Sequence, residues 1–143
     1  MKLLVLSCYS NVIYDEPEDS TGGKINQLAT VRSVKKLKEV ILEDVKWNYE
    51  NQLCDFIDNY DGYDDRYDDY KYDFENIYDK PRSYNKCFEQ FLSEYHNFEL
   101  EKELHIPDLK TLEKGKLIEI MDFEDTSDDY WTEYLKYYII KLS

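Results

Sequence analysis

The sequence predicts an α+β domain, and three observations carry that expectation. Apolar, β-prone runs stand towards both ends of the chain, at Lys2–Ile13 and Tyr130–Leu142. Between them, apolar residues recur at three- and four-residue steps, the spacing of helices with one buried face. Leu, Ile, Val and Phe make up 37 of the 143 residues, or 26%, above the roughly 20% below which charged chains stay disordered. The expected architecture is one domain over residues 1–143. Its N- and C-terminal strands form an antiparallel sheet, with two or three amphipathic helices between them.

Each element follows from local signals. Lys2–Ile13 contains no helix breaker and reads as a buried strand. Tyr14–Gly23 is a loop punctuated by Pro17, Gly22 and Gly23. In Lys24–Val31 the even spacing of Ile25, Ala29 and Val31 suits a short strand pairing back on the first, and a helix from Ile25 fits nearly as well. Ser33 is placed to N-cap the next element, where Val34, Leu37, Ile41, Val45, Tyr49, Leu53, Phe56 and Tyr60 mark a long amphipathic helix. Lys35, Lys36 and Lys38 crowd its first turns, where the helix dipole disfavours cations by about a few tenths of a kcal/mol each. Packing or a nearby carboxylate must offset them.

Pro81 closes the stretch after this helix. Ser83 can cap a further helix, whose apolar face of Tyr84, Phe88, Phe91, Tyr95 and Phe98 runs to about Leu104 before Pro107. Lys116–Phe123 and Tyr130–Leu142 are β-rich runs joined by the acidic loop Glu124–Asp129, which predicts a β-hairpin.

Charge is the distinctive property. The chain carries 32 Asp and Glu against 18 Lys and Arg, a net charge of −14. Residues 55–79 hold ten acidic residues against Arg66 and Lys71, which leaves −8 in that stretch alone. Tyr60, Tyr63, Tyr67, Tyr70, Phe74 and Ile77 interleave with the carboxylates at alternating steps of three and four, the pattern of a helix with one aromatic seam. The abundance of Asp, the like charges and Gly62 all oppose a helix, so an extended acidic loop is the competing expectation.

Other residue patterns exclude much chemistry. Nothing approaches the ~18 apolar residues of a membrane span, and Leu3–Leu6 is too short for the core of a signal peptide. Cys8, Cys54 and Cys87 are odd in number and lack a CxxC, as expected of buried thiols in a reducing cytoplasm. His96 and His105 lie nine residues apart, on opposite faces if one helix carries both, and so cannot share a metal. Aligning Gly62 as the sixth residue of a calcium-binding loop puts Ile57 first, where a carboxylate is required. No phosphate loop, nucleophile elbow or zinc-protease motif occurs, so neither an enzyme nor a cofactor is expected. Tyrosines flanked by carboxylates also argue against direct nucleic-acid binding, which needs cations beside the rings. The same sign of charge argues against an anionic membrane.

What remains is a surface suited to a cationic protein. A helix carrying acid at four residues in ten presents about one charge per 4 Å, against one per ~1.7 Å of duplex DNA. A groove built for nucleic acid would attract such a surface, and tyrosine supplies rigid contact area. The expected partner-binding residues are Asp61, Tyr63, Asp64, Asp65, Tyr67, Asp68, Asp69, Tyr70 and Asp73, with Asp125, Asp128 and Asp129 as a second cluster. One Ala, 15 Tyr and 18 Lys and Arg of which only three are Arg indicate AT-rich coding, as in low-GC bacteria and their phages. The concrete expectation is a DNA-mimic-like inhibitor acting in a bacterial cytoplasm on a CRISPR effector or restriction enzyme. The alternatives are an immunity protein or antitoxin for a cationic toxin, and a phage or plasmid structural or regulatory domain.

Overall fold

The computed structural model describes residues 1–16, 18, 20–59 and 81–143. Its strands are β1 (Leu3–Ile13), β2 (Thr21–Val31), β3 (Leu117–Asp125) and β4 (Trp131–Lys141). Its helices are α1 (Val34–Asn59), α2 (Pro81–His96) and the single turn α3 (Leu100–Glu103). The class is α+β, as the sequence predicts. A four-stranded antiparallel sheet runs in the order β2-β1-β4-β3, built from an N-terminal and a C-terminal strand pair with the helices between them in sequence. The residues fall into two compact units, Met1–Asp44 with Leu100–Ser143, and Val45–Glu99.

In the first unit, β1 and β4 are the central strands, paired without interruption from Leu3↔Lys141 to Ile13↔Trp131. Side chains alternate between sheet faces. Leu3 and Val5 of β1 therefore share the inner face with Leu135, Tyr137 and Ile139 of β4, and all five are buried. Phe123 joins that face from β3, opposite Leu135. This layer is the core of the unit.

The strand reading of Lys24–Val31 is the one the structure adopts, although β2 starts earlier, at Thr21. Gly22 and Gly23 thus belong to the strand rather than to the loop. At Gly23 the neighbouring strand comes close: a β-carbon there would stand 2.5 Å from Cys8 Sγ. Extra residues on β2 shift its register against β1, once around Leu28 and once near the two glycines. The first shift moves Ala29 to the opposite side from Ile25, so the three evenly spaced residues do not share a face. Val31 is buried while Ile25 is exposed. Cys8, the free thiol of β1, is half-buried rather than enclosed.

Ser33 caps α1 as expected. Its Oγ accepts from the Lys36 N–H at 3.2 Å, and its carbonyl accepts from the Leu37 N–H at 3.0 Å. Leu37 and Ile41 are fully buried, whereas Val34, at the first position, is exposed. The lysines in the first turns find carboxylates: Lys36 pairs with Glu39 at 2.9 Å and Lys38 with Glu101 of α3 at 3.2 Å. One turn beyond Ile41, the hydroxyl of Tyr137 donates to Asp44 Oδ2 at 2.7 Å and ties α1 to the inner face of β4.

The second unit has an aromatic core. Val45 and Tyr49 of α1 are buried, as are Phe88, Phe91 and Leu92 of α2 and Phe98 just beyond it. The helix starts at Pro81, ahead of the Ser83 cap position, since proline suits a first turn whose N–H groups lack partners. It also stops sooner than the apolar spacing suggests. Asn97 takes a left-handed conformation (φ 52°), and the Phe98 N–H turns back to the Leu92 carbonyl at 3.0 Å. The two histidines consequently do not share a helix. His96 is buried, its ring 4.2 Å from that of Tyr49 and 5.4 Å from that of Phe91. His105 lies past α3, exposed, and its N–H donates to the Ile120 carbonyl at 2.7 Å.

Two stability measurements test this packing. Tyr137→Phe leaves the half-buried Asp44 without that donor and is expected to cost about 1–2 kcal/mol in urea unfolding. Gly23→Ala is expected to destabilise, and Cys8→Ala to remove most of the penalty in the double variant. Additive losses would show that the close approach does not set the cost.

Candidate functional site

The stretch on which the sequence reading places most of its weight, with Asp61, Tyr63, Asp64, Asp65, Tyr67, Asp68, Asp69, Tyr70 and Asp73, lies outside the described residues. The second expected cluster is described, and it sits where β3 turns into β4.

Local backbone chemistry shapes this turn. Asp125 Oδ1 accepts from the Ser127 N–H at 3.0 Å, and Asp128 Oδ1 accepts from the Tyr130 N–H at 2.7 Å. Each aspartate bonds the backbone two residues on, the habit that makes this residue a turn former. Past the turn, the Tyr14 N–H donates to the Tyr130 carbonyl at 3.0 Å, and the Tyr14 hydroxyl is hydrogen-bonded to Thr132 Oγ1. The end of the sheet is thereby fastened to the end of β1.

Strand alternation sorts the acidic residues between the two faces. Glu119, Asp122 and Glu124 of β3 point outward and are exposed, opposite Tyr138, Lys136 and Tyr134 of β4. Asp129 is exposed and Asp128 half-buried. Asp125 departs from the expected role. It has the parity of Phe123, faces inward, and is only 4% exposed. It cannot present a carboxylate to a large partner, and belongs to the interior instead.

There it faces Glu133 directly across the strand pair, itself only 9% exposed. Like charges placed opposite each other oppose sheet formation, and hydrogen-bond donors around Glu133 counter this. The indole Nε1 of Trp131 donates to Glu133 Oε1 at 3.3 Å, and the Tyr9 hydroxyl also bonds Glu133. Burial first, then the Glu133 charge and hydrogen bond, push the Tyr9 phenol up to about 12. Tyr137 is likewise pushed above the ordinary range, by burial and then by Asp44.

Sequence reasoning misses Tyr9, Trp131 and Glu133. The signal was present, since in the run from Trp131 to Lys141 Glu133 shares the parity of Leu135, Tyr137 and Ile139 and so must point inward. Among the described residues, no group of three or more His, Cys, Asp or Glu side chains is arranged to hold a metal ion. No described helix is long and apolar enough to cross a membrane. Comparison with protein-family models, curated proteins and solved structures finds no match to this chain.

The buried phenols yield a pH prediction. Both pKa values are higher in the folded state, so the unfolded chain gives up these protons first and folding is favoured fully below pH 10. Stability is expected to fall as pH rises from about 10 to about 12, through the Tyr9 range. Ultraviolet titration of tyrosinate against urea midpoints checks this. Glu133→Gln should bring Tyr9 part of the way back towards 10, the contribution of burial remaining.

Proposed function

We propose that this chain is a non-enzymatic acidic inhibitor that occupies a basic nucleic-acid-binding groove of another protein, in the manner of a DNA mimic acting on a CRISPR effector or restriction enzyme. The single observation behind this reading is the charge pattern of residues 55–79, ten carboxylates against two cations with tyrosines interleaved. The hairpin adds support: Glu119, Asp122, Glu124 and Asp129 are exposed on and around a sheet whose strands fix their spacing. A groove lined with Lys and Arg gains in two ways from such a partner. Long-range attraction speeds encounter, and carboxylates pair with guanidinium groups at close range.

The partner is to be captured from host cells and identified by mass spectrometry. Reversing Asp64, Asp65, Asp68 and Asp69 to Lys is then expected to weaken its binding at least ~100-fold while leaving the unfolding midpoint near that of the parent. Unchanged affinity in the folded variant would exclude this stretch as the contact. Affinity should also fall at least ~10-fold between roughly 50 and 200 mM salt. A flat response would mean that apolar contacts dominate.

A further inference from the structure

The geometry points to the outer face of the β3–β4 hairpin as a docking surface for an arginine-bearing extended segment of a partner protein, with tyrosine rings stacking on guanidinium groups that the neighbouring carboxylates pair. This inference stands on the sheet alone and does not require residues 55–79 to bind anything.

Three placements carry it. Strand alternation puts Tyr134 and Tyr138 on one face of β4, four residues apart, and Tyr130 stands four residues before Tyr134 in the bend that leads into the strand. Tyr134 and Tyr138 are half-buried, so part of each ring is accessible on this face, and Tyr130 beside the strand is 65% exposed. Tyr14, 54% exposed, lies across from Tyr130, its N–H bonded to the Tyr130 carbonyl and its hydroxyl to Thr132. On the other side, β3 sets Glu124 opposite Tyr134 and Glu119 opposite Tyr138. Burial raises the Tyr138 phenol, and Glu119 adds to the rise, which fits a carboxylate close to that hydroxyl. Within these rows the cation is Lys136, opposite Asp122, so the face is net negative.

A ring beside a carboxylate favours one cation over another. Guanidinium is planar and weakly hydrated, so it can lie on an aromatic face while its edge donates to a carboxylate; the ammonium of lysine is compact and holds its water. The spacing narrows the ligand further. Every fourth residue of a strand spans ~13 Å, and an extended partner segment with arginine at every fourth position repeats at the same interval.

The test titrates the full chain with a synthetic peptide carrying arginine at every fourth position among glycine and serine, and with its lysine counterpart of equal length and charge. The arginine peptide is expected to bind about 10-fold more tightly, with tyrosine ring resonances of β4 shifting on addition. Equal binding of the two peptides, or no ring shifts, would overturn the inference. Tyr134→Leu with Tyr138→Leu is expected to abolish the preference, and a folded double variant that keeps it is an overturning result. The ring shifts decide the matter without any variant should the leucine pair unfold. Glu119→Gln with Glu124→Gln should weaken both peptides. In the protein carrying the four reversals at Asp64, Asp65, Asp68 and Asp69, the arginine preference must persist. Its loss there would move the arginine contact to that stretch and overturn this inference without touching the proposed groove binding. Loss of groove binding with the preference intact would refute the proposed function alone.

Discussion

The pairing of β1 with β4 is the constraint on which the first unit depends. Eleven consecutive residue pairs join strands that lie more than a hundred residues apart in sequence. Among the described strands, the other pairings hang from this one: β2 pairs with β1, and β3 with β4. Each terminal strand pair alone has both edges unpaired, and two-stranded ribbons are marginal in water. Joined, they form the layer on which Leu3, Val5, Leu135 and Ile139 are buried. Closing so long a loop costs entropy that grows only slowly with its length, so the intervening residues are tolerated once the central pair has formed.

Both the class and most of the elements were legible in the sequence, for physical reasons that can be named. The β1 and β4 runs carry long β-prone stretches, and the Ser33 cap marks the start of α1 to the residue. The failures are equally instructive. A register shift leaves no trace in a hydropathy pattern, so the even spacing of Ile25 and Ala29 suggests one face while the bulge at Leu28 separates them. The end of α2 was missed because Asn97 resembles any polar helical residue until its left-handed backbone is known. The expected helix ran through it, and the two histidines were placed on one rod when a break divides them.

The candidate site shows the limits of counting charges. Asp125 and Asp129 look alike in the sequence of an acidic turn, yet one is interior and the other exposed. The difference is where β3 ends: the strand runs two residues past the expected Phe123, so Asp125 takes the inward parity of Phe123, whereas Asp129 lies in the turn beyond it. Glu133 is the converse case, a single acid among aromatics whose inward parity with Leu135 and Tyr137, not its local charge density, sets its place. A buried carboxylate pair with phenol and indole donors is a more specific structure than an acidic loop. It lies on the inner face at the turn end of the sheet, while Glu119, Asp122 and Glu124 face outward and are exposed.

The order of the strands bears on how the protein is made. As the chain leaves the ribosome, β1 and β2 emerge in succession and can pair at once, but the other neighbour of β1 in the sheet follows more than a hundred residues later. Throughout that interval Leu3, Val5 and their neighbours lack the cover that β4 provides, and nascent chains in this condition are prone to association with one another. The abundance of negative charge gives such chains mutual repulsion during the wait, a benefit to the nascent chain itself.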